Sequence, residues 1–494
     1  MTRVLIFLAL LQILAIDQAA NAQNSLPAQT FPSLGMYAIQ DNHDYGNAAF
    51  ISRAAISDIV IMNLWNGWRD PGTRLNSLQV LQAINGASTR NTLSIGYMIP
   101  EQSEDYSAYP AWLSQVNSAN WWLRTSFPSG AQVSDSNVGG SGYWLNVLVG
   151  GATGIGGRTY DQYMADYVVD FYYNGDAAGL ATDGSDPVNP LWAGMYQDSL
   201  YGCFTTNADY ARTGSSNSGS CAQWAAGQLA VTQRVQADKP GSLAFGNLSE
   251  CQNPAHCPMI QAGYGGQLDG GDLENMVGST GSIENQGLAL LLLAYQNQMG
   301  LLNSKQLGVF TAYNITSNGE DQINTNVPYQ AARNALAICM VLGNARCDLQ
   351  SNTGSIDANA ALWFDEDAVN RATQAPCVTP GTACAANIGY LGAAVDPPQT
   401  TAHQGCYWRR RFQYGEVWWS PASCSAGTIS FGYTVNFIAG VQAPSFNTGG
   451  SGSTHPISSR DGIIVLYQNT AAAPAPALTG ASVPNPPAGV SITK

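Results

Sequence analysis

Charge and histidine are scarce in this chain. Only 11% of its 494 residues are charged, and four are histidine. Basic residues number 19 against 33 acidic ones, a formal net charge of −14, so the molecule's field repels phosphate backbones and acidic membranes and argues against a nucleic-acid partner. No GxGxxG turn follows the first strand-like segment and no GxxxxGK[ST] loop occurs, which removes the usual nucleotide cradles. The GxSxG elbow of serine hydrolases is missing, and so is HExxH. His43, His256, His403 and His455 are scattered, and there is no pair of CxxC motifs. Neither a metal nor a cofactor is therefore expected. Long apolar runs are equally few: Gly287 to Ala294 is too short for the ~20 residues that span a bilayer.

What is present is the material of a large folded core. Hydrophobic residues make up 45% of the chain, aromatic residues 10%, and there are 52 glycines, too much apolar surface to remain unfolded. Arg3, the apolar run Val4 to Ile16 and the small-residue site Ala20-Asn21-Ala22 have the three-part form of a secretory signal. Residues 1–22 are thus expected to be removed and the mature protein to be secreted, extracellular or periplasmic, without a membrane span. In that compartment ten cysteines imply disulfides between sequence neighbours: Cys203 with Cys221, Cys251 with Cys257, Cys339 with Cys347, Cys377 with Cys384, Cys406 with Cys424.

Apolar, β-branched segments bounded by turn residues mark eight strands: Ser33 to Gln40, Ser57 to Trp65, Thr92 to Glu101, Trp192 to Ser199, Ser242 to Ser249, Gln267 to Asn275, Leu307 to Asn314 and Ala360 to Asp365. Helical periodicity lies between most of them, as in Tyr160, Tyr163, Tyr167 and Phe171, in Trp224 to Val235, in Asn285 to Gly300 and in Tyr329 to Gly343. Strands alternating with helices predict parallel pairing, and eight units predict an α/β fold of the (β/α)8 TIM-barrel type over residues 23–372. The excursion Gln102 to Pro190 then becomes a βα loop on the C-terminal face, with Trp121-Trp122-Leu123 and Tyr143 to Asn146 as a short hairpin. Residues 373–470 change to short alternating runs rich in Pro, Gly and Cys, a small all-β module of sandwich-like form. Residues 471–494 are an Ala/Pro-rich tail expected to be disordered.

Two strand ends share a form. Gly194-Met195-Tyr196-Gln197-Asp198-Ser199-Leu200 and Gly270-Gly271-Asp272-Leu273-Glu274-Asn275-Met276 both read glycine, three residues, carboxylate, a small polar residue, an apolar one. On the fourth and sixth barrel strands both carboxylates reach the C-terminal rim, where this fold keeps its chemistry. A facing pair is the minimum equipment of glycoside hydrolysis: one ionised group attacks or activates water, and one protonated group donates to the leaving oxygen. Asp198 is assigned nucleophile or base, and Glu274 general acid, its proton held by the like charge of Asp272.

A sugar offers C–H patches edged by hydroxyls, which suits tyrosine and tryptophan. Substrate-binding candidates are Tyr37, Trp65, Asn66, Trp68, Tyr97, Glu101, Asn247, Asp272, Tyr313 and Asn314, with Trp121, Trp122, Tyr143 and Trp144 as a wall over the mouth. Asn247-Leu248-Ser249 and Asn314-Ile315-Thr316 also fit the N-glycosylation sequon.

These elements resemble the hypothetical glycoside hydrolase-like barrels, in particular hypothetical glycosyl hydrolase family fifteen. The similarity runs from Leu34-Gly35-Met36-Tyr37 to Asp461-Gly462-Ile463-Ile464-Val465-Leu466. Gly194 to Leu200 looks like that group's DGIFxDN strand, with Ala193 in place of the first Asp and Ser199 in place of Asn; Asp269 to Asn275 looks like its DGxxxEN strand. Trp144-Leu145-Asn146 and Arg410 to Val417 are similar as well. The resemblance implies a TIM barrel acting on carbohydrate through Asp198 and Glu274. The expected protein is a monomeric secreted hydrolase of a poly- or oligosaccharide. The rival readings are a barrel that binds carbohydrate without cleaving it and a structural or adhesive surface protein.

Overall fold

The structure is a computed structural model that describes residues 29–39, 45–64, 68–88, 90–99, 102–103, 110–122, 131–132, 134–135, 142–144, 157–175, 187–198, 217–249, 265–278, 282–313, 329–350, 365–367, 389–440 and 444–468. The chain opens with β1 (Gly35–Ala38), α1 (Ala48–Ala55), β2 (Ile59–Met62), α2 (Ser77–Ala87) and β3 (Leu93–Met98). The long βα excursion follows, carrying β4 (Gln102–Ser103), α3 (Pro110–Ala119), β5 (Ser134–Asp135), β6 (Gly142–Trp144) and α4 (Tyr160–Tyr172). Next come β7 (Gly194–Gln197), α5 (Asn217–Asp238), β8 (Leu243–Asn247), β9 (Leu268–Val277), α6 (Leu288–Gly300), β10 (Leu302–Ala312), α7 (Tyr329–Leu342) and β11 (Arg346–Leu349).

Local chemistry sets these elements. Asn76 and Thr159 begin α2 and α4 with capping boxes closed by Gln79 and Gln162, which satisfy amides that the helix leaves unpaired. Strands β1, β2 and β3 are buried along their whole length, the pattern of a parallel sheet covered on both faces. The eight strands pair in parallel in the order β1-β2-β3-β7-β8-β9-β10-β11. Cys347 N–H donates to the Ser33 carbonyl (2.8 Å) and Leu34 bridges Cys347 in parallel, so the two edge strands meet in a nearly closed (β/α)8 barrel.

Seven predicted strands coincide with observed ones, while the eighth does not. The eighth barrel strand is Arg346–Leu349; of the expected Ala360 to Asp365 only Asp365 is among the described residues, and it opens a short 3-10 turn at 365–367. The stretch Arg-Cys-Asp-Leu carries two charged residues and lacks an apolar signature, yet its four residues pair along Val309–Ala312 of β10 and Cys347 and Asp348 reach the first strand's edge. The Cys339–Cys347 disulfide fixes that strand to α7. In the excursion, β5 and β4 flank β6 in a three-stranded antiparallel sheet, and Trp121 takes no part in it because its amide closes α3 on Val116.

The C-terminal module consists of β12 (Trp408–Arg411), β13 (Gly415–Ser420), β14 (Gly427–Phe437), β15 (Ser451–Ile457) and β16 (Asp461–Tyr467). It is one five-stranded antiparallel sheet ordered β12-β13-β16-β14-β15, where a sandwich was expected. The partner layer is α7: Gly462 has no Cβ, which lets β16 approach Ala337 and the Arg333 carbonyl closely. Arg333 makes a two-pronged buried ion pair with Asp461 (2.9 and 3.1 Å) and lies 3.7 Å over the Phe446 ring. Arg410, 1% exposed, donates to the carbonyls of Met340 and Gly343 and to Asn344 Oδ1, satisfying the end of α7.

Cys339 pairs with Cys347 and Cys406 with Cys424, as expected; the other three expected pairs lie outside the described residues. So do the signal-like residues 1–22 and the tail 471–494. Among the described residues no helix is long and apolar enough to cross a membrane.

Candidate functional site

The two glycine-to-carboxylate motifs end β7 and β9, and the glycines explain their likeness. A side chain at Gly194 would strike the backbone of Leu243, and one at Gly270 would strike Phe245 and the Leu307 carbonyl. Each motif therefore begins where neighbouring strands crowd together and ends four residues later at the barrel mouth. Asp198 directly follows β7, its amide bonded to the Met98 carbonyl (2.9 Å). Glu274 sits in an irregularity of β9: Leu273 pairs with Phe310 and Val277 with Ala312, so three residues of β9 face one of β10. Asn275 takes a left-handed conformation there (φ +56°), and its amide donates to Thr311 Oγ1 (3.1 Å). A bulge of this kind turns a side chain away from the regular pleat.

Both carboxyl groups are half-buried, and one amide joins them. Asn247, the last residue of β8 between β7 and β9, donates from Nδ2 to Asp198 Oδ1 (2.8 Å) and to Glu274 Oε2 (2.9 Å). Its Oδ1 accepts the Ser249 amide (2.9 Å), which fixes the direction of the group. Two oxygens bonded to one nitrogen at these distances lie less than about 6 Å apart. Tyr97 donates to Asp198 Oδ2 (2.5 Å), and Tyr313 to Glu274 Oε1 (3.4 Å).

Beneath this pair lies a layer of tyrosine. Tyr37, Tyr97 and Tyr196 pack with centroids 5.6 to 6.4 Å apart, and Tyr97 stacks on Tyr196. Burial first, then the nearby Glu274 carboxyl, holds the Tyr313 phenol well above its ordinary value, so it remains a neutral donor. Burial and then Asp198 act likewise on Tyr37 and Tyr196.

Asp272 is fully buried, two residues before Glu274. Loss of water, followed by Glu274, Asp348 and Asp198, pushes its carboxyl well above the usual range. Buried below the mouth, it is out of reach as a sugar contact. Asp348, on the strand that the sequence reading misplaced, is pushed up to about 7 by burial, against hydrogen bonds from the Tyr37 amide (2.8 Å) and from Gln350. The Cys339/Cys347 spacing was the one signal pointing to that strand.

Of the sequence candidates, the structure brings Asp198, Glu274, Asn247, Tyr97 and Tyr313 together and sets Tyr37 and Asp272 below them. Trp68 is buried against Tyr45 (5.5 Å), on the flank of the core. Trp121 and Trp122 are each 2% exposed and form no wall: Trp121 packs on Tyr160 and Tyr163 of α4, and Trp122 Nε1 donates to Asn117 (2.8 Å). Trp65, Asn66, Glu101 and Asn314 lie outside the described residues, as do the side chains of Tyr143 and Trp144.

A nearly closed parallel barrel with convergent carboxyl groups at its C-terminal mouth is the general form of a barrel enzyme. Similar solved structures include glycoside hydrolases. The glycoside hydrolase domain of PelA from Pseudomonas aeruginosa is 10% identical, with 68% of this chain and 98% of that one covered and a TM-score of 0.36. The type III pullulan hydrolase from Thermococcus kodakarensis is 11% identical, covering 90% and 77%, with a TM-score of 0.41. The maltogenic amylase from S. marinus is 7% identical, covering 89% and 67%, with a TM-score of 0.42. Superpositions this loose say nothing of substrate or mechanism. No family model matches the chain, and no curated protein matches it. The resemblance to family fifteen therefore stands on its motifs alone.

Proposed function

We propose that this chain is a secreted glycoside hydrolase that cleaves a poly- or oligosaccharide with Asp198 and Glu274 and retains the anomeric configuration. The observation that carries the reading is the Asn247 amide bonded to both carboxyl groups at 2.8 and 2.9 Å. Two oxygens on one nitrogen lie less than about 6 Å apart, and this close approach of acids from two strands favours the ~5 Å spacing of retaining enzymes over the ~6.5 to 9.5 Å that leaves room for an inverting water. The same spacing disfavours the rival of a binding-only barrel, which has no need of such a pair.

In the reaction an Asp198 oxygen forms a bond to the anomeric carbon as the bond from that carbon to the leaving oxygen breaks. Glu274 gives its proton to that oxygen. Water then attacks the same carbon, Glu274 takes the water's proton, and the Asp198 carboxylate departs. Tyr97 and Asn247 each donate to Asp198 and so hold its carboxyl group at the barrel mouth. The signal-like N-terminus and paired cysteines support export. Asp198→Asn and Glu274→Gln are each expected to fold with unchanged thermal stability and to lose about 10²-fold or more of turnover on the cognate glycan. Full activity in either variant removes that residue from the mechanism.

A further inference from the structure

The turn that follows Glu274 is gripped from the C-terminal module. After β9 the chain returns so that the Ile283 amide donates to the carbonyl of Asn275 (3.2 Å), the residue next to Glu274. Glu284, 7% exposed, begins the 3-10 turn Glu284–Gln286 and accepts Asn334 Nδ2 of α7 (2.9 Å). Asn334, 3% exposed, accepts Trp419 Nε1 of β13 (2.9 Å), and Trp419 is 1% exposed. Arg460, between β15 and β16, reaches the same Glu284 oxygen at 3.6 Å, and Gln330 of α7 donates to the Ser459 carbonyl (2.8 Å). Two buried side-chain hydrogen bonds, the peptide link from Glu284 to Ile283 and one backbone hydrogen bond thus lead from a tryptophan of the β-module to the backbone beside the candidate acid. Asn275 is the soft point of that backbone, because its left-handed conformation and the bulge leave β9 without a regular ladder there.

We propose that the C-terminal β-module is a positioning element for Glu274, acting through Trp419, Asn334 and Glu284 on the turn that closes β9. Its consequence for turnover rests on the reading of Glu274 as the acid; its mechanical part does not. The module is then a fixed part of the active barrel, and Trp419, Asn334 and Glu284 are positioning residues that touch no substrate. Buried groups linked in this way lose more than one contact when one of them is removed, because its partner is left without a bond.

The test is amide hydrogen exchange on the full-length protein. Trp419→Phe keeps an aromatic ring, smaller than the indole, and removes the N–H; Glu284→Leu removes the acceptor, and Glu284→Gln keeps it. Trp419→Phe and Glu284→Leu are expected to speed exchange in β9 and residues 282–287 by about tenfold, with β14 and β15 unchanged, while Glu284→Gln exchanges as the native protein does. On a cleaved glycan the same two variants lower kcat with KM little changed, and Glu284→Gln restores it. Native exchange across β9 in both Trp419→Phe and Glu284→Leu overturns the proposal, and so does equal loss in Glu284→Gln. Faster exchange in a protein that cleaves no glycan upholds the clamp and overturns the hydrolase reading alone. Should Trp419→Phe fail to fold, the Glu284 pair decides.

Discussion

At the scale of single residues, the site is organised by an amide. Asn247 neutralises none of the charge of Asp198 and Glu274, yet it gives each an N–H and so lets two acids face each other across the mouth. Asn247→Ala removes both bonds at once. The expected result is a fall in kcat of about 10²-fold or more, because neither carboxyl group is then held in place for the reaction. Steady-state kinetics on a cleaved glycan check this; native kcat in Asn247→Ala would show the bridge to be incidental. Asp198 and Glu274 were legible in the sequence because two glycine-to-carboxylate motifs stood at matching strand ends. Their bridging was not, because Asn247 lies in a different strand and no spacing relates it to either. Trp121 and Trp122 were misread for a related reason: a tryptophan pair looks the same in sequence whether it lines a cleft or fills the gap between α3 and α4, and burial decides which.

At the scale of elements, seven barrel strands were written in β-branched and apolar runs because both faces of a parallel sheet are covered. The eighth, Arg346–Leu349, escaped notice because its pairing, not its composition, makes it a strand. Asp348 turns toward the tyrosine layer and takes the Tyr37 amide, which is how a charged residue comes to occupy a barrel stave. The disulfide between Cys339 and Cys347 spans eight residues and ties that stave to α7. Replacing both cysteines by serine is expected to lower stability by about 2.5 kcal/mol, the loop-closure value for so short a ring. Denaturant unfolding measures it, and a loss well below 1 kcal/mol would mean that the α7–β11 corner is held by its packing alone. The β-module was read as a sandwich because its strands alternate on both sides. The second layer is supplied by α7, a barrel helix, so the partner of that face lay in another part of the chain.

For the whole molecule, the buried acids set how stability depends on pH. Asp348 is raised from an ordinary value of 3.8 to about 7, and Glu366, bonded to Asn447 (2.7 Å), from 4.5 to about 7, both chiefly by burial. The folded state then holds protons that the unfolded chain has released. Their contribution is present in full below the unfolded values and is lost as pH rises toward 7. Asp70 and Asp396 act in the opposite sense: their carboxyls are lowered by hydrogen bonds from Thr73 and Arg411, against the upward push of burial, so their contribution is lost as the medium becomes strongly acid. Thermal stability is therefore expected to peak at about pH 4 and to decline toward neutrality. Asp348→Asn and Glu366→Gln should flatten that decline, and a melting temperature that climbs from pH 5 to 7 in the native protein would refute the assignment.

The most direct test of the paired-carboxyl account is the anomeric configuration of the first product. Incubating the full-length protein with a panel of poly- and oligosaccharides and following fresh digests by proton NMR is expected to show new reducing ends that keep the substrate's configuration on at least one glycan, and none with Asp198→Asn. An inverted product, or equal release by Asp198→Asn, would contradict it.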